Sequence, residues 1–390
     1  MSFDHPRRRF IGRIGQLFTA IAAAKWAPQI TLAQSRQDTM FAYVGSFTSE
    51  DRGARGDGIN VYRVDPVSGD WEHIQSVGDL VNPSFLARDR SGRFLYSAHA
   101  DMDYATAFAI EPTSGHLTLL NRQSTGGTNG VHLAVDASNS FLVVSNYASG
   151  SMAVLPLNED GSLAPLSDLV TLSGSPGPHP TEQQSSHPHH NPFDPQGGFF
   201  IVPDKGLDAV FVFRLDPENG TLIPADVPSV ATQAGAAPRH ADFHPTLPHA
   251  YVINELDSTM AVYEYDTTTG ALEQIQLLST LPDGFTARNT TAEVWVHPSG
   301  RFLYGSNRGH NSIVGYAIDQ SSGRLEPIGW TPTGGQTPRY FGLDPSGSRL
   351  YACNQNDHNI VTFMVDQATG TLTPTGQSIE TGSPVTIVFS

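Results

Sequence analysis

The chain has a single cysteine in 390 residues, Cys353, which excludes an intrachain disulfide framework and a zinc site built on thiolates. Positive charge is also scarce. Lys and Arg number 22 against 38 Asp and Glu, a net charge of −16, so bulk charge does not favour nucleic acid or an anionic membrane surface as a partner. Any anionic ligand requires a local basic pocket. No Gly-x-Ser-x-Gly elbow occurs, which leaves covalent acyl transfer to a serine without its usual setting. Past residue 33, no apolar run is long enough to cross a bilayer as a helix. Turn chemistry is abundant instead: 37 glycines and 28 prolines with only 15% charged residues point to an all-β fold rather than a helical bundle.

The N-terminus carries its own signal. Arg7-Arg8-Arg9-Phe10-Ile11 precedes an apolar run from Ile14 to Ala24, and the small-residue end Thr31-Leu32-Ala33 follows. This order reads as a twin-arginine export signal over residues 1–33, cut near Ala33, with a short linker at 34–39. A basic amphipathic helix is the alternative, but the run has too few polar residues for a solvent face. Removing residues 1–33 takes five basic residues and Asp4, leaving 17 basic against 37 acidic residues and a net charge of −20. The expected location is periplasmic or secreted, reached in the folded state through the twin-arginine machinery.

From Met40 onward one pattern repeats: an apolar run, a polar end, an alternating strand and a turn closed by glycine. The runs open at Phe41, Phe94, Phe141, Phe199, Ala250, Phe302 and Leu350, with spacings of 53, 47, 58, 51, 52 and 48. Each unit has a hairpin glycine, at Gly69, Gly115, Gly161, Gly220, Gly270, Gly323 and Gly370. Four strands fit each unit, and seven such units predict a seven-bladed β-propeller over residues 40–390. One further strand precedes each run, as at Pro83 to Ala87, His189 to Phe193 and Arg239 to Phe243, except in the first unit. Pro384 to Phe389 is a spare strand of matching character. It is expected to complete the first blade, closing the ring and removing an exposed sheet edge. Tandem β-sandwiches would give neither the sevenfold count nor the orphan strand.

Counting five residues past each run opener gives Ser46, His99, Asn146, Asp204, Glu255, Asn307 and Gln355, a polar column on one face, with Lys205 and Arg308 one residue beyond. The preceding strands add His189, Arg239, Glu293 and Arg339 near their starts, on the same face. Two insertions also fall there, Ser49 to Gly58 and a stretch between Gly161 and His189. Insertions at the charged end of a rigid scaffold are how such folds build ligand sites. Polar groups can also simply solvate a channel mouth or cap strand ends, as Asn146, Asn307 and Gln355 would. That reading is weaker for His189, Arg239, Glu255, Glu293 and Arg308, which are costly to bring together in a cleft without a task.

At these positions the sequence resembles the seven-bladed propeller lactonases, a family that includes the 6-phosphogluconolactonases and the fungal carboxy-cis,cis-muconate cyclases. The resemblance runs from Phe41 to Phe389. Its motifs are Tyr43-Val44-Gly45-Ser46-Phe47-Thr48, Asn82-Pro83-Ser84-Phe85-Leu86, Asn146-Tyr147, His187-Pro188-His189, Pro238-Arg239-His240, Asn254-Glu255-Leu256, Ser306-Asn307-Arg308-Gly309-His310 and Pro338-Arg339. The resemblance implies a catalytic histidine, two arginines and a glutamate at His189, Arg239, Arg308 and Glu255. Glu293, Asn146, Asp204, Asn307 and Arg339 are read as substrate-binding. The sequence departs from the family at His190-Asn191, where Ser-Val is usual, at Lys205, where Leu is usual, and at Tyr340, where Asn is usual.

The expected substrate is a small lactone or carboxylate. Export favours a non-phosphorylated aldonolactone or other carboxylated lactone over a cytosolic sugar phosphate. Arg239 and Arg308 would hold an oxyanion or carboxylate, His189 would act as general base with a titration near neutrality, and Glu255 would orient that base or donate a proton. A lactonising cycloisomerase and a non-enzymatic binding propeller are the rival readings. No cofactor and no metal are expected, because His187, His189 and His190 lie too close on one extended segment to face one ion.

Overall fold

A computed structural model describes residues 40–390. The export signal read over residues 1–33 and the linker at 34–39 lie outside the described residues. The rest forms seven antiparallel sheets in chain order. In the first, the C-terminal strand Pro384–Phe389 is innermost and pairs with Met40–Ser46, which pairs with Ile59–Val64 and then Trp71–Val77. The ring therefore closes as the orphan strand requires, and the backbone N–H of Phe41 and Oγ of Ser390 seal it at 2.7 Å.

Blade four corrects the four-strand expectation. Its sheet has three strands, Phe200–Asp204, Ala209–Asp216 and Thr221–Ala231, and the segment expected as its inner strand touches it only through isolated bridges, Pro188↔Asp204 and Phe193↔Phe200. Pro188 and Pro192 have no N–H to give to a ladder. Asn191 turns its side chain instead to the neighbouring blade, donating to Val143 O at 3.0 Å and accepting from Ser145 Oγ at 3.0 Å.

The blades are locked together by a repeated contact. All seven hairpin glycines have positive φ, between 62° and 81°, a region where only glycine is unstrained. A Cβ on Gly161 would lie 2.2 Å from the Phe94 ring, and one on Gly115 would lie 2.4 Å from Phe41. Gly220, Gly270 and Gly370 meet Phe141, Phe199 and Phe302 in the same way. Each run opener is thus the aromatic knob that fills the space left by the missing side chain on the next blade. In the two remaining contacts the knobs are His249, against Gly323, and Arg349, against Gly69. The openers of units five and seven are therefore His249 and Arg349, one residue earlier than Ala250 and Leu350.

This shift corrects the polar column. The second-strand ends are Ser46, His99, Asn146, Asp204, Asn254, Asn307 and Asn354, each facing the start of an inner strand: Pro384, Pro83, Gly130, Pro188, Pro238, Thr291 and Pro338. Glu255 and Gln355 lie one position further on.

Candidate functional site

Two rings of side chains follow from this register. In six blades the pairing slips just after the facing pair, a β-bulge in or beside the inner strand. A bulge re-aims one side chain out of the sheet's alternation. At that position stand Ser84, Val131, Arg239, Glu293, Arg339 and Val385, joined by His189 in blade four, and all seven line one cavity of about 190 Å³. The second ring is the residue after each strand end, contributing Phe47, Ala100, Tyr147, Lys205 and Glu255 to the same cavity. Arg52, from the insertion Ser49 to Gly58, reaches the rim and pairs with Asp101 at 2.6 Å.

Charge in the cavity is organised around Glu255. Its Oε1 lies 3.0 Å from Lys205 Nζ and 3.2 Å from Arg308 Nη2, and its Oε2 lies 3.1 Å from Arg239 Nε, a charge contact not aligned as a hydrogen bond. Burial pushes the Glu255 carboxyl up, but Arg308, Lys205 and Arg239 overwhelm it and hold it well below the usual carboxylate range. Lys205 also binds Glu182, from the second insertion, at 2.7 Å. Burial works against the Lys205 ammonium, yet Glu255, Tyr147 and Glu182 keep its pKa raised. Arg239 donates Nη1–H to Ala292 O at 2.6 Å, and Arg308 donates Nη2–H to Thr291 O at 2.5 Å. Both guanidiniums are therefore held rigidly on the sixth blade.

Arg339 is different. Among the described residues it has no carboxylate partner, and its guanidinium lies over the Phe47 ring at 5.2 Å. Burial and the nearby Arg239 and Arg308 push its pKa down, but a guanidinium is basic enough to keep its charge near neutral pH. A ligand anion would relieve that repulsion. His189, also buried, has an Nδ1 with no partner among the described residues. Burial, then Arg239, Arg339 and Lys205, hold its pKa well below that of a free imidazole.

Beneath the cavity the next inner-strand residues plug the channel. Phe85, His132, His190 and His240 pack in turn, with centroids 4.1, 3.8 and 4.1 Å apart, the first two pairs tilted and the last stacked, and Tyr340 lies 6.1 Å from Phe85. His240 Nδ1 lies 2.7 Å from Glu293 Oε1. His190, His240 and Glu293 each bring a donor atom within 4.8 Å of the others. The His190 and His240 rings are only 23° apart, so their in-plane lone pairs run side by side rather than onto one ion. Below the plug lies a second cavity of about 420 Å³ with largely apolar walls, including Leu133, Val135, Trp295 and Leu343.

Known proteins share this fold. Residues 41–389 match the family described as a lactonase with a seven-bladed β-propeller. The chain belongs to that lactonase family. The 6-phosphogluconolactonase of Bacillus subtilis is 34% identical over 305 residues, spanning 77% of this chain and 84% of its own. That of Formosa agariphila is 33% identical over 312 residues, 77% and 86% of the two chains. Among solved structures, the periplasmic gluconolactonase of Pseudomonas aeruginosa matches with a TM-score of 0.83 at 31% identity, over 90% of this chain and 99% of that one.

Within this lactonase fold the residues singled out in the sequence separate into two groups. His189, Arg239, Glu255, Glu293 and Arg339 line the cavity, and Arg308 stands behind Glu255. Asn146, Asp204 and Asn307 do not line it. Asn146 donates to Thr125 O and Ser151 Oγ, both at 3.3 Å, and Asn307 donates to Thr280 O at 2.8 Å. Asp204 accepts three backbone N–H groups, from His187, Gly206 and Leu207. These are strand-end caps, and Asn254 and Asn354 have the same role, each bonding the residue five positions on. Glu255 makes no hydrogen bond to His189 among the described residues and is too strongly held as an anion to donate a proton. Sequence reasoning passed over Tyr147 and His240, although both lie within quoted motifs; the signal was their place one residue beyond a counted position.

Proposed function

We propose that the chain hydrolyses a small sugar-derived or carboxylated lactone at this channel mouth, by direct attack of water and without a covalent intermediate. One observation carries the reading: a single cavity unites Arg339 and His189, which among the described residues have no carboxylate partner and an unpartnered Nδ1 respectively, with Arg239, which is fixed by Glu255 and Ala292 O. Arg339 holds the carboxylate or hydroxyl end of the substrate. Arg239 offers its remaining N–H groups to the carbonyl oxygen as it becomes an oxyanion, where a preorganised donor has most effect. His189 accepts the proton of the attacking water. Lys205 and Arg308 act through Glu255, keeping it charged and Arg239 in place. The buried Cys353 lies in a blade strand and is no nucleophile for this cavity.

Residues 1–33, read as an export signal, would deliver the folded enzyme to the periplasm, which favours a non-phosphorylated substrate. The reading is tested by a panel of aldonolactones and carboxylated lactones followed by proton release, with a phosphorylated lactone and a tricarboxylic muconate alongside. Turnover of the non-phosphorylated lactones is expected. Cyclisation of the muconate without lactone hydrolysis, or binding with no turnover, would overturn it.

A further inference from the structure

Hydrolysis of a lactone needs a proton for the departing ring oxygen as well as a base for the water. Glu255 cannot supply it, because three cations hold it as an anion. Asp101, at the rim, is engaged by Arg52 through both carboxylate oxygens, at 2.6 and 2.7 Å. The imidazolium that His189 forms on taking the water proton is one donor; the cavity floor holds a second acid.

We infer that His240 and Glu293 form that acid, a proton-holding pair at the cavity floor that protonates the leaving alkoxide. This rests on the hydrolytic reading above. Both residues line the cavity, and they share a 2.7 Å bond between Nδ1 and Oε1. Glu293 is fixed further, since Oε1 accepts the Val294 N–H at 3.0 Å and its own N–H donates to Ser306 Oγ at 2.9 Å. The outer atoms of the pair, His240 Nε2 and Glu293 Oε2, are buried and have no partner among the described residues. Two orphaned polar atoms on one pair are costly unless a ligand completes them.

The surroundings favour a neutral pair carrying one proton. Burial pushes the Glu293 carboxyl up to about 8, with Asp242 adding to the rise and Arg239 and Arg339 opposing it. His190, Arg239, His189 and His132 face His240, and with burial they keep its imidazole from charging. Tyr340 and Cys353, from the seventh blade, face Glu293 and stay protonated beside it. The bonds balance as follows. Water oxygen bonds to the lactone carbonyl carbon while its proton passes to His189. The carbon–ring oxygen bond then breaks, and the ring oxygen takes the proton held by Glu293 and His240. Loss of the His189 proton and uptake of one by Glu293 from solvent restore the site, and a hydroxy acid departs.

The test compares two leaving groups in wild-type protein and Glu293→Gln, with folding checked by melting temperature. An aliphatic aldonolactone expels a poor alkoxide leaving group, whereas dihydrocoumarin expels a phenolate that needs little help. Glu293→Gln should lose roughly 10²-fold or more in kcat on the first and at least ~10-fold less than that on the second. In wild type the aldonolactone rate should also fall above about pH 8, as Glu293 ionises, and that limb should vanish in Glu293→Gln. Glu293→Asp should restore part of the loss. Equal losses on both lactones, or an unchanged alkaline limb in Glu293→Gln, would overturn the assignment. The limb decides alone if dihydrocoumarin is not turned over. Failure of wild type on every lactone would instead refute the hydrolytic reading, and this one with it.

Discussion

At the residue scale, the site is a balance of cations that are paired and one, Arg339, that has no carboxylate partner among the described residues. Replacing Arg339 with Met should raise KM for a carboxylated lactone by about 10- to 100-fold, the loss of a charge-assisted hydrogen bond of about 1.5–3 kcal/mol. The rise for an uncharged lactone should be smaller, and equal effects on the two would place the anion elsewhere. His189 differs from its sequence-based expectation in a way that kinetics can read. Burial and three neighbouring cations depress its pKa, so the unprotonated base persists below the ordinary imidazole range. The acid limb of kcat/KM should therefore lie well below pH 6.5, and a limb near 6.5 would mean that another group is the base. Residue types alone did not show this, because the depression comes first from burial and then from Arg239, Arg339 and Lys205, which the fold brings to His189.

At the element scale, the hairpin glycines and the run openers were legible separately, but their partnership was not. The sequence pattern placed all seven glycines correctly, since turn chemistry is local. That each glycine receives a side chain from the previous blade is a tertiary fact. It explains why five openers are Phe and why aligning units five and seven on Ala250 and Leu350 moved Glu255 and Gln355 into the wrong column. Gly161→Ala, with φ of 81° and the Phe94 ring 2.2 Å from the added Cβ, should cost roughly 2–4 kcal/mol through strain and overpacking. Phe94→Ala in the same chain should lessen the further effect of Gly161→Ala, as measured by a denaturant double-mutant cycle. Strict additivity would break the proposed lock. The bulges were not legible, because nothing local distinguishes Arg239 or Glu293 on a bulge from the same residue in a regular strand.

At the scale of the whole molecule, closure and charge set stability. Deleting Pro384 to Ser390 leaves the Met40–Ser46 strand without its inner partner, so aggregation or a large fall in melting temperature should follow, and unchanged melting would contradict the closed ring. Acid should also destabilise the fold. Burial is the leading cause that lowers the pKa of His99, His132, His189, His190 and His240, so each takes up a proton on unfolding once the pH falls below about 6.5. Asp204, Asp242, Asp257 and Glu293 are raised by burial and act in the opposite sense, losing stability as pH rises towards their folded values, which for Asp242 and Glu293 are about 7 and about 8. Histidines outnumber the raised carboxyls, so the melting temperature should peak near pH 6.5 and drop on the acid side. A profile flat from pH 7 to 5 would show that these imidazoles are not buried as described.

The channel mouth as a hydrolytic site is tested most directly by Arg239→Lys, assayed by proton release on the best non-phosphorylated lactone with the fold verified. Lysine keeps the charge near Glu255 but loses the planar fork that holds Ala292 O and that is proposed to reach the substrate carbonyl oxygen as well. The expected result is a drop in kcat of roughly 10²-fold or more, with a smaller change in KM. Full activity in a folded Arg239→Lys protein would contradict it and move the chemistry away from this cavity.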